Sequence, residues 1–131
     1  MIRVILVGIG GFIGSISRYL VSGFVQNALK NFEFPYGTLV VNILGCFVLG
    51  FLAQLADGYG AFSSDVRAFL FVGILGGFTT YSAFGGETFN LLRDQEIILG
   101  FLNILGHLLF GLMAVWGGRS LVHLIWRQIC S

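Results

Sequence analysis

Two polar pairs stand out in a chain that otherwise reads as hydrocarbon: Thr38 with Asn42, and Asn103 with His107. Each pair is spaced i,i+4, so on a helix its members lie one above the other on a single face. Carboxamides, a hydroxyl and an imidazole supply hydrogen-bond donors without a fixed charge. One use for such stripes is interhelical bonding, worth about 0.6 kcal/mol per bond on average inside a membrane. The other is a hydrated path whose donors replace part of an anion's water shell without trapping it. Two stripes on two helices favour the path. A third polar group, Arg18, is the one charge inside the run from Val4 to Gln26. Ionisable groups in apolar spans are costly and functional by default. Two roles are open to it: snorkelling to the nearer interface, or a fixed positive charge that draws an anion toward the protein.

The segment Gly73-Ile-Leu-Gly-Gly-Phe-Thr-Thr-Tyr-Ser-Ala-Phe-Gly-Gly-Glu87 is stranger. Two Gly pairs bracket Thr79, Thr80 and Ser82, which predicts an interrupted helix. Backbone groups freed by a break at membrane depth must be satisfied by protein, water or an ion. A flexible kink packed against a neighbour is the plainer alternative. Tyr81 and Phe84 flank Ser82, and the positive edges of their rings suit a small anion. Glu87 closes the segment and is expected to face water near a pore mouth rather than lie at the midplane. Buried acceptor-only carboxylates are almost absent, so the donor set points to a small anion without selecting one.

The elements holding these groups must lie in a bilayer. Of 131 residues, 56% are apolar and only 10% are charged, against about 25% charged in an ordinary soluble domain. The mean hydropathy is +0.93. Four runs are long enough to cross a hydrocarbon core, which takes about 20 residues: residues 4–26, 37–56, 67–92 and 97–118. They form one transmembrane domain, with loops too short to hold a soluble one. Arg3 followed by the apolar run and Ser15-Ile-Ser17 has the look of a cleaved leader, but the run continues past Arg18 to Val25, so a retained span is expected. Arg3, Arg67, Arg119 and Arg127 fall on one side, and Lys30 and Arg93, joined by Arg18, on the other. Four against three barely selects an orientation, which fits either a weak N-inside preference or insertion both ways.

Several functions drop out. A net charge of +1 offers no basic field for nucleic acid. Cys46 and Cys130 form no metal or redox spacing. His107 and His123 are sixteen residues apart on one helix, about 24 Å at 1.5 Å per residue, and cannot share a haem iron. There is no nucleophile–base pair, so no enzyme is expected. A four-helix drug/proton antiporter needs a carboxylate in its first span, where this chain has Arg18. A non-conducting assembly subunit built on Gly10-x-x-x-Gly14 and Gly73-x-x-x-Gly77 packing gains little from paired Asn, Thr and His.

Pro35-Tyr-Gly-Thr-Leu-Val-Val-Asn-Ile-Leu-Gly45 and Gly73-Ile-Leu-Gly-Gly-Phe-Thr-Thr-Tyr-Ser-Ala-Phe84 resemble signature stretches of the bacterial fluoride channel (Fluc) family. The likeness extends over the whole chain, through Gly14-Ser-Ile-Ser-Arg18 and Asn103-x-x-x-His107. It implies an all-α integral membrane protein of the inner (plasma) membrane. Four transmembrane helices are expected, the third broken in its middle, in an antiparallel dual-topology homodimer with two fluoride pores at the interface. The implied task is passive export of fluoride that entered as hydrogen fluoride and dissociated inside. The resemblance implies a central structural sodium ion held by backbone carbonyls at Gly76 and Thr79. It also implies a fluoride pathway along Asn42, Tyr81, Phe84, Ser82, Thr38, Thr80, Asn103 and His107, with Arg18 and Glu87 attracting the anion or lining a vestibule. Departures are Tyr81 for the usual phenylalanine, Ala83 for threonine, Gly85-Gly86 for hydroxyl residues, and His107 and Gly111 where serine or threonine often stand. They leave a heterodimer open beside the homodimer.

Overall fold

The computed structural model describes residues 1–30 and 33–129, and every regular element among them is helical. Cys130 lies outside the described residues. Helix α1 is Ile2–Leu29 and α2 is Tyr36–Tyr59. Helix α3 covers 64–78 in three windings, Ser64–Arg67, the π-wound Ala68–Leu75 and Gly76–Phe78. Helix α4 is Tyr81–Arg93 and α5 is Ile97–Ile129. Four helical stretches are long and apolar enough to cross a membrane, with α3 and α4 together making the third.

Local chemistry sets the ends. Pro35 precedes α2, and its fixed φ suits a helix start. Gly60, at φ 62°, ends α2 in the left-handed conformation, and its N–H and that of Ala61 both donate to Leu55 O. The Ser63 hydroxyl accepts from Val66 N–H to start α3. Between α4 and α5 the chain reverses through Asp94–Glu96 as Glu96 N–H donates to Leu91 O at 2.9 Å.

The third span is broken at Thr79 and Thr80, where the backbone is extended (φ −78°, ψ 156° and φ −149°, ψ 111°). The break therefore falls on the β-branched pair and not on the glycines around it. Gly76 and Gly77 remain helical, and Gly85 and Gly86 lie within α4. The Thr80 hydroxyl caps the restarted helix by accepting from Ala83 N–H at 3.2 Å.

The glycines serve close packing instead. A methyl group on Gly10 would meet Phe69 O at 2.7 Å and Gly73 Cα at 2.9 Å, and one on Gly77 would meet Gly11 O at 2.6 Å. Gly14 lies against the backbone of Ile74 and Phe78. Thus the two small-residue motifs of α1 and α3 face one another, with backbone on backbone. Helix α2 packs on α5 in the same way, Gly50 against Val115 O and Gly118 against Phe47 O. Without water to expel, such close approach is the main source of helix association in lipid. Large apolar side chains such as Phe12, Phe24, Leu109, Leu112 and Trp116 point outward.

Among the described residues the ion pairs sit at the two ends. Arg3 pairs with Asp65 at 2.6 Å, and Asp57 lies between Arg67 at 3.1 Å and Arg119 at 3.6 Å. Arg93 and Asp94 pair at the opposite end. Helix α5 continues beyond Gly118, and Trp126 stacks on Tyr59 with ring centroids 4.0 Å apart. Gly14→Val is expected to abolish the folded protein or lower its melting temperature strongly in detergent. Gly8→Ala, where an added methyl meets nothing within 4 Å, should leave it within a few degrees of wild type.

Candidate functional site

The broken span is held by one side chain of α2. The Asn42 carboxamide accepts from Thr80 N–H at 2.8 Å and donates to Thr80 O at 3.1 Å. It thus stands in for a neighbouring peptide group and satisfies both polar groups of the extended residue. This pairing takes Thr80 N–H away from Gly76 O, its partner in an unbroken helix. Ala83 N–H, which would close onto Thr79 O, goes to the Thr80 hydroxyl instead. The carbonyls of Gly76 and Thr79 therefore both lose their ordinary amide partner. Arg18 reaches from α1 to the same place, with Nη1 3.4 Å from Thr79 O. Its guanidinium lies at the break and is not stretched toward an interface.

Two clefts flank the break. The first, of about 620 Å³, is lined by Asn42, Gly45, Cys46, Gly76, Thr79, Thr80, Tyr81, Phe84 and His107, with Leu49, Phe71, Leu75, Ile104 and Leu108 as apolar wall. Tyr81 and Phe84 form a tilted ring pair at 5.6 Å, and Phe84 lies 4.4 Å from the His107 ring. The second, of about 860 Å³, holds Ser15, Arg18, Ser22, Gln26, Thr38, Thr80, Ser82 and Glu87. Thr80 belongs to both, so the break is the partition between them.

Several sequence-predicted residues are placed differently from expectation. Glu87 does not end its helix, because α4 continues to Arg93, although it lines the second cleft. It is half-buried midway along that helix and accepts from the Thr38 hydroxyl at 2.6 Å. Its other carboxylate oxygen is enclosed, with no partner among the described residues. The Thr38 proton is thereby committed to Glu87, and the Thr79 hydroxyl donates to Leu75 O at 2.9 Å. Thr80 and Ser82 share a hydroxyl contact at 3.3 Å. Asn103 is 0% exposed and lines neither cleft. Its Nδ2 donates to Thr88 Oγ1 at 2.9 Å, and that hydroxyl donates to Phe84 O at 2.7 Å. Asn103 thus acts on the cleft through the backbone of Phe84.

Three residues at or behind the site were not singled out for it from the sequence. Thr88 links Asn103 to Phe84. Gln26 clips α1 to the start of α2, with Nε2 donating to Phe34 O and Oε1 accepting from Gly37 N–H, both at 3.0 Å. Cys46 lines the first cleft, as His107 does. A signal for Thr88 exists in the numbering: 84 with 107, 88 with 103 and 91 with 100 are equidistant from the α4–α5 turn, as facing residues in an antiparallel helix pair must be.

The family model described as "CrcB-like protein, Camphor Resistance (CrcB)" matches residues 5–119. The chain is 46% identical over 120 residues to "Fluoride-specific ion channel FluC 3" of Methanosarcina barkeri, covering 92% of this chain and 89% of that protein. It is 45% identical over 122 residues to "Fluoride-specific ion channel FluC" of Methylobacillus flagellatus, covering 93% and 95%. The protein of that name from Clostridium perfringens is 41% identical over 127 residues, covering 95% and 97%.

Thr88→Val strips the fully enclosed Asn103 Nδ2 of its hydrogen-bond partner. The expected cost is about 1–3 kcal/mol, since an orphaned buried polar group loses its full desolvation energy. Adding Asn103→Leu should recover part of that loss. A double-mutant cycle in detergent denaturation reads both, and simple additivity would contradict the coupling.

Proposed function

This chain belongs to the CrcB-like protein family, and we propose that it is a fluoride-selective channel that lets cytoplasmic fluoride leave passively across the plasma membrane. The observation that carries the reading is the break at Thr79–Thr80, held open by Asn42 between two clefts. The donors left uncommitted there are the second Asn42 N–H, the one hydroxyl proton that Thr80 and Ser82 do not use between them, the Tyr81 hydroxyl and the Arg18 N–H groups other than the one on Thr79 O. The ring edges of Tyr81 and Phe84 add a partly positive wall. Neutral donors replace hydration while holding an anion weakly enough to release it. Arg18 raises the local anion concentration in the second cleft, and Glu87, held by Thr38, keeps that cleft from becoming a trap. A relative's fluoride specificity is named for that relative; it is extended to this chain through the shared family and through this chain's own donor set.

The working unit in this proposal is an antiparallel homodimer with two pores. Tyr81 is 83% exposed in the single chain, and Ser82, Gly85 and Gly86 beside it are exposed too. A polar stripe facing lipid at mid-span is costly, and a second copy would cover it and close the first cleft into a path. The near balance of positive charge between the two ends suits insertion both ways. Sodium fits the break: the Gly76 and Thr79 carbonyls have lost their amide partners, and hard oxygens suit a hard cation. Thr79 O, at 3.4 Å from Arg18, keeps a second lone pair for it. When bound, the ion would supply a positive charge that satisfies the carbonyl oxygens left without amide partners and ties the two copies together.

Purified protein in liposomes is expected to release fluoride rapidly and chloride negligibly, as read by ion-selective electrodes. Asn42→Asp, which cannot donate to Thr80 O, should abolish the flux. Absence of fluoride efflux from folded, dimeric wild type would overturn the channel reading. Replacing sodium with a large organic cation during purification should lower the melting temperature. An unchanged melting temperature would remove the sodium ion from the proposal.

A further inference from the structure

His107 stands in the first cleft with its two ring nitrogens in unequal settings. Nδ1 lies 2.9 Å from Asn103 O. A carbonyl oxygen only accepts, so Nδ1 carries a proton and the neutral ring is fixed as the Nδ1–H tautomer. Nε2 then bears a lone pair. That nitrogen is enclosed and has no partner among the described residues, and the Phe84 and His107 ring centroids are 4.4 Å apart. The donor path is thus interrupted by an acceptor, which an approaching anion would find repulsive.

We infer that His107 is a proton-dependent anion site, so that anion passage through this cleft strengthens as the solution becomes acidic. A proton from water entering the cleft adds to the Nε2 lone pair and gives an imidazolium with donors on both nitrogens. Nε2–H then points a charged donor where the neutral ring had an acceptor. No carboxylate is among the residues lining this cleft, so an imidazolium there needs a counter-charge, and a small anion in the cleft supplies one. Protonation and anion binding therefore favour each other, and by linkage each raises the affinity for the other by one factor. The quadrupole of the Phe84 ring favours the same charged state.

Few other groups can account for such a dependence. From α2, Cys46 is the titratable residue lining the cleft, and from α4 it is Tyr81. Phe71, Leu75, Gly76 and Thr79 of the third span present none. Arg18 and Glu87 line the second cleft, across the break. Of these only a histidine ordinarily changes charge between pH 5 and 8.

The inference rests on the channel reading, and the experiment separates the two. Fluoride current is recorded across planar bilayers in symmetrical fluoride at pH 8.0 and pH 5.5, where neutral hydrogen fluoride carries no current. Wild type is expected to conduct at both, with the current at pH 5.5 larger by about fivefold or more, the low end of typical coupling between two sites. His107→Gln, which offers an amide that does not titrate, should conduct almost equally at both pH values, and His107→Ser should do the same. Cys46→Ala should retain the wild-type ratio. Equal wild-type currents at the two pH values, or a ratio that survives in both His107 variants, would overturn the inference while leaving the channel standing. No current from wild type at either pH would overturn the channel and this inference with it.

Discussion

A helix can be broken inside a membrane only if something replaces the hydrogen bonds it gives up, and here that something is a single carboxamide. Asn42 bonds both the N–H and the C=O of Thr80. Everything near the break follows from that pairing. It frees the Gly76 carbonyl, brings Thr79 O within reach of Arg18, and lets the Thr80 hydroxyl cap α4. It also fixes where α4 starts, and so where Tyr81, Phe84 and Glu87 face. Asn42 in turn is held by α2, whose glycines lock it against α5 at Gly50 and seat Gly45 against the Thr79 methyl.

The scaffold shows how a protein with almost no large buried side chains keeps such a site rigid. Among the described residues Val41 and Asn103 are the largest that are fully enclosed. Precision comes instead from backbones pressed together at Gly10, Gly14, Gly73 and Gly77. Small residues carry little side-chain entropy into the folded state, and a surface without long side chains has few alternative packings. The α1–α3 contact therefore sets the height of the break relative to Arg18, while the α2–α5 contact sets the height of Asn42.

Much of this was legible in the sequence because lipid leaves a chain few options. Four apolar runs among so few charges admit little besides four membrane helices, and a glycine-rich stretch with three hydroxyl residues marks an interruption. The exact place of the break was not legible. Glycine is the usual suspect for a helix break, yet here the glycines were needed against α1 and the β-branched Thr79 and Thr80 took the extended conformation. The surroundings of Glu87 were hidden for a related reason: a carboxylate after an apolar run reads as the end of its helix, and only the fold reveals that α4 runs on and that Thr38 stands opposite. The i,i+4 stripes identified which residues are polar together but not what each bonds. Asn42 turned toward a backbone, whereas Asn103 turned away from both clefts toward Thr88, a residue unremarkable in a linear reading.

The winding of Ala68–Leu75 carries a consequence for the angular phase of the third span. A π-turn takes up one residue more than an α-turn, so the helix on its far side keeps nearly the angle it would have had without that residue. Phe69, whose carbonyl meets Gly10, and Gly73 and Gly77, which also lie against α1, therefore reach the same neighbour although the chain between Phe69 and Leu75 is wound more widely than an α-helix. Loss of one residue there would let the segment return to ordinary winding with little change in the direction Thr80 faces. The widened stretch works as slack: it stores one residue of chain without turning one end of the span against the other.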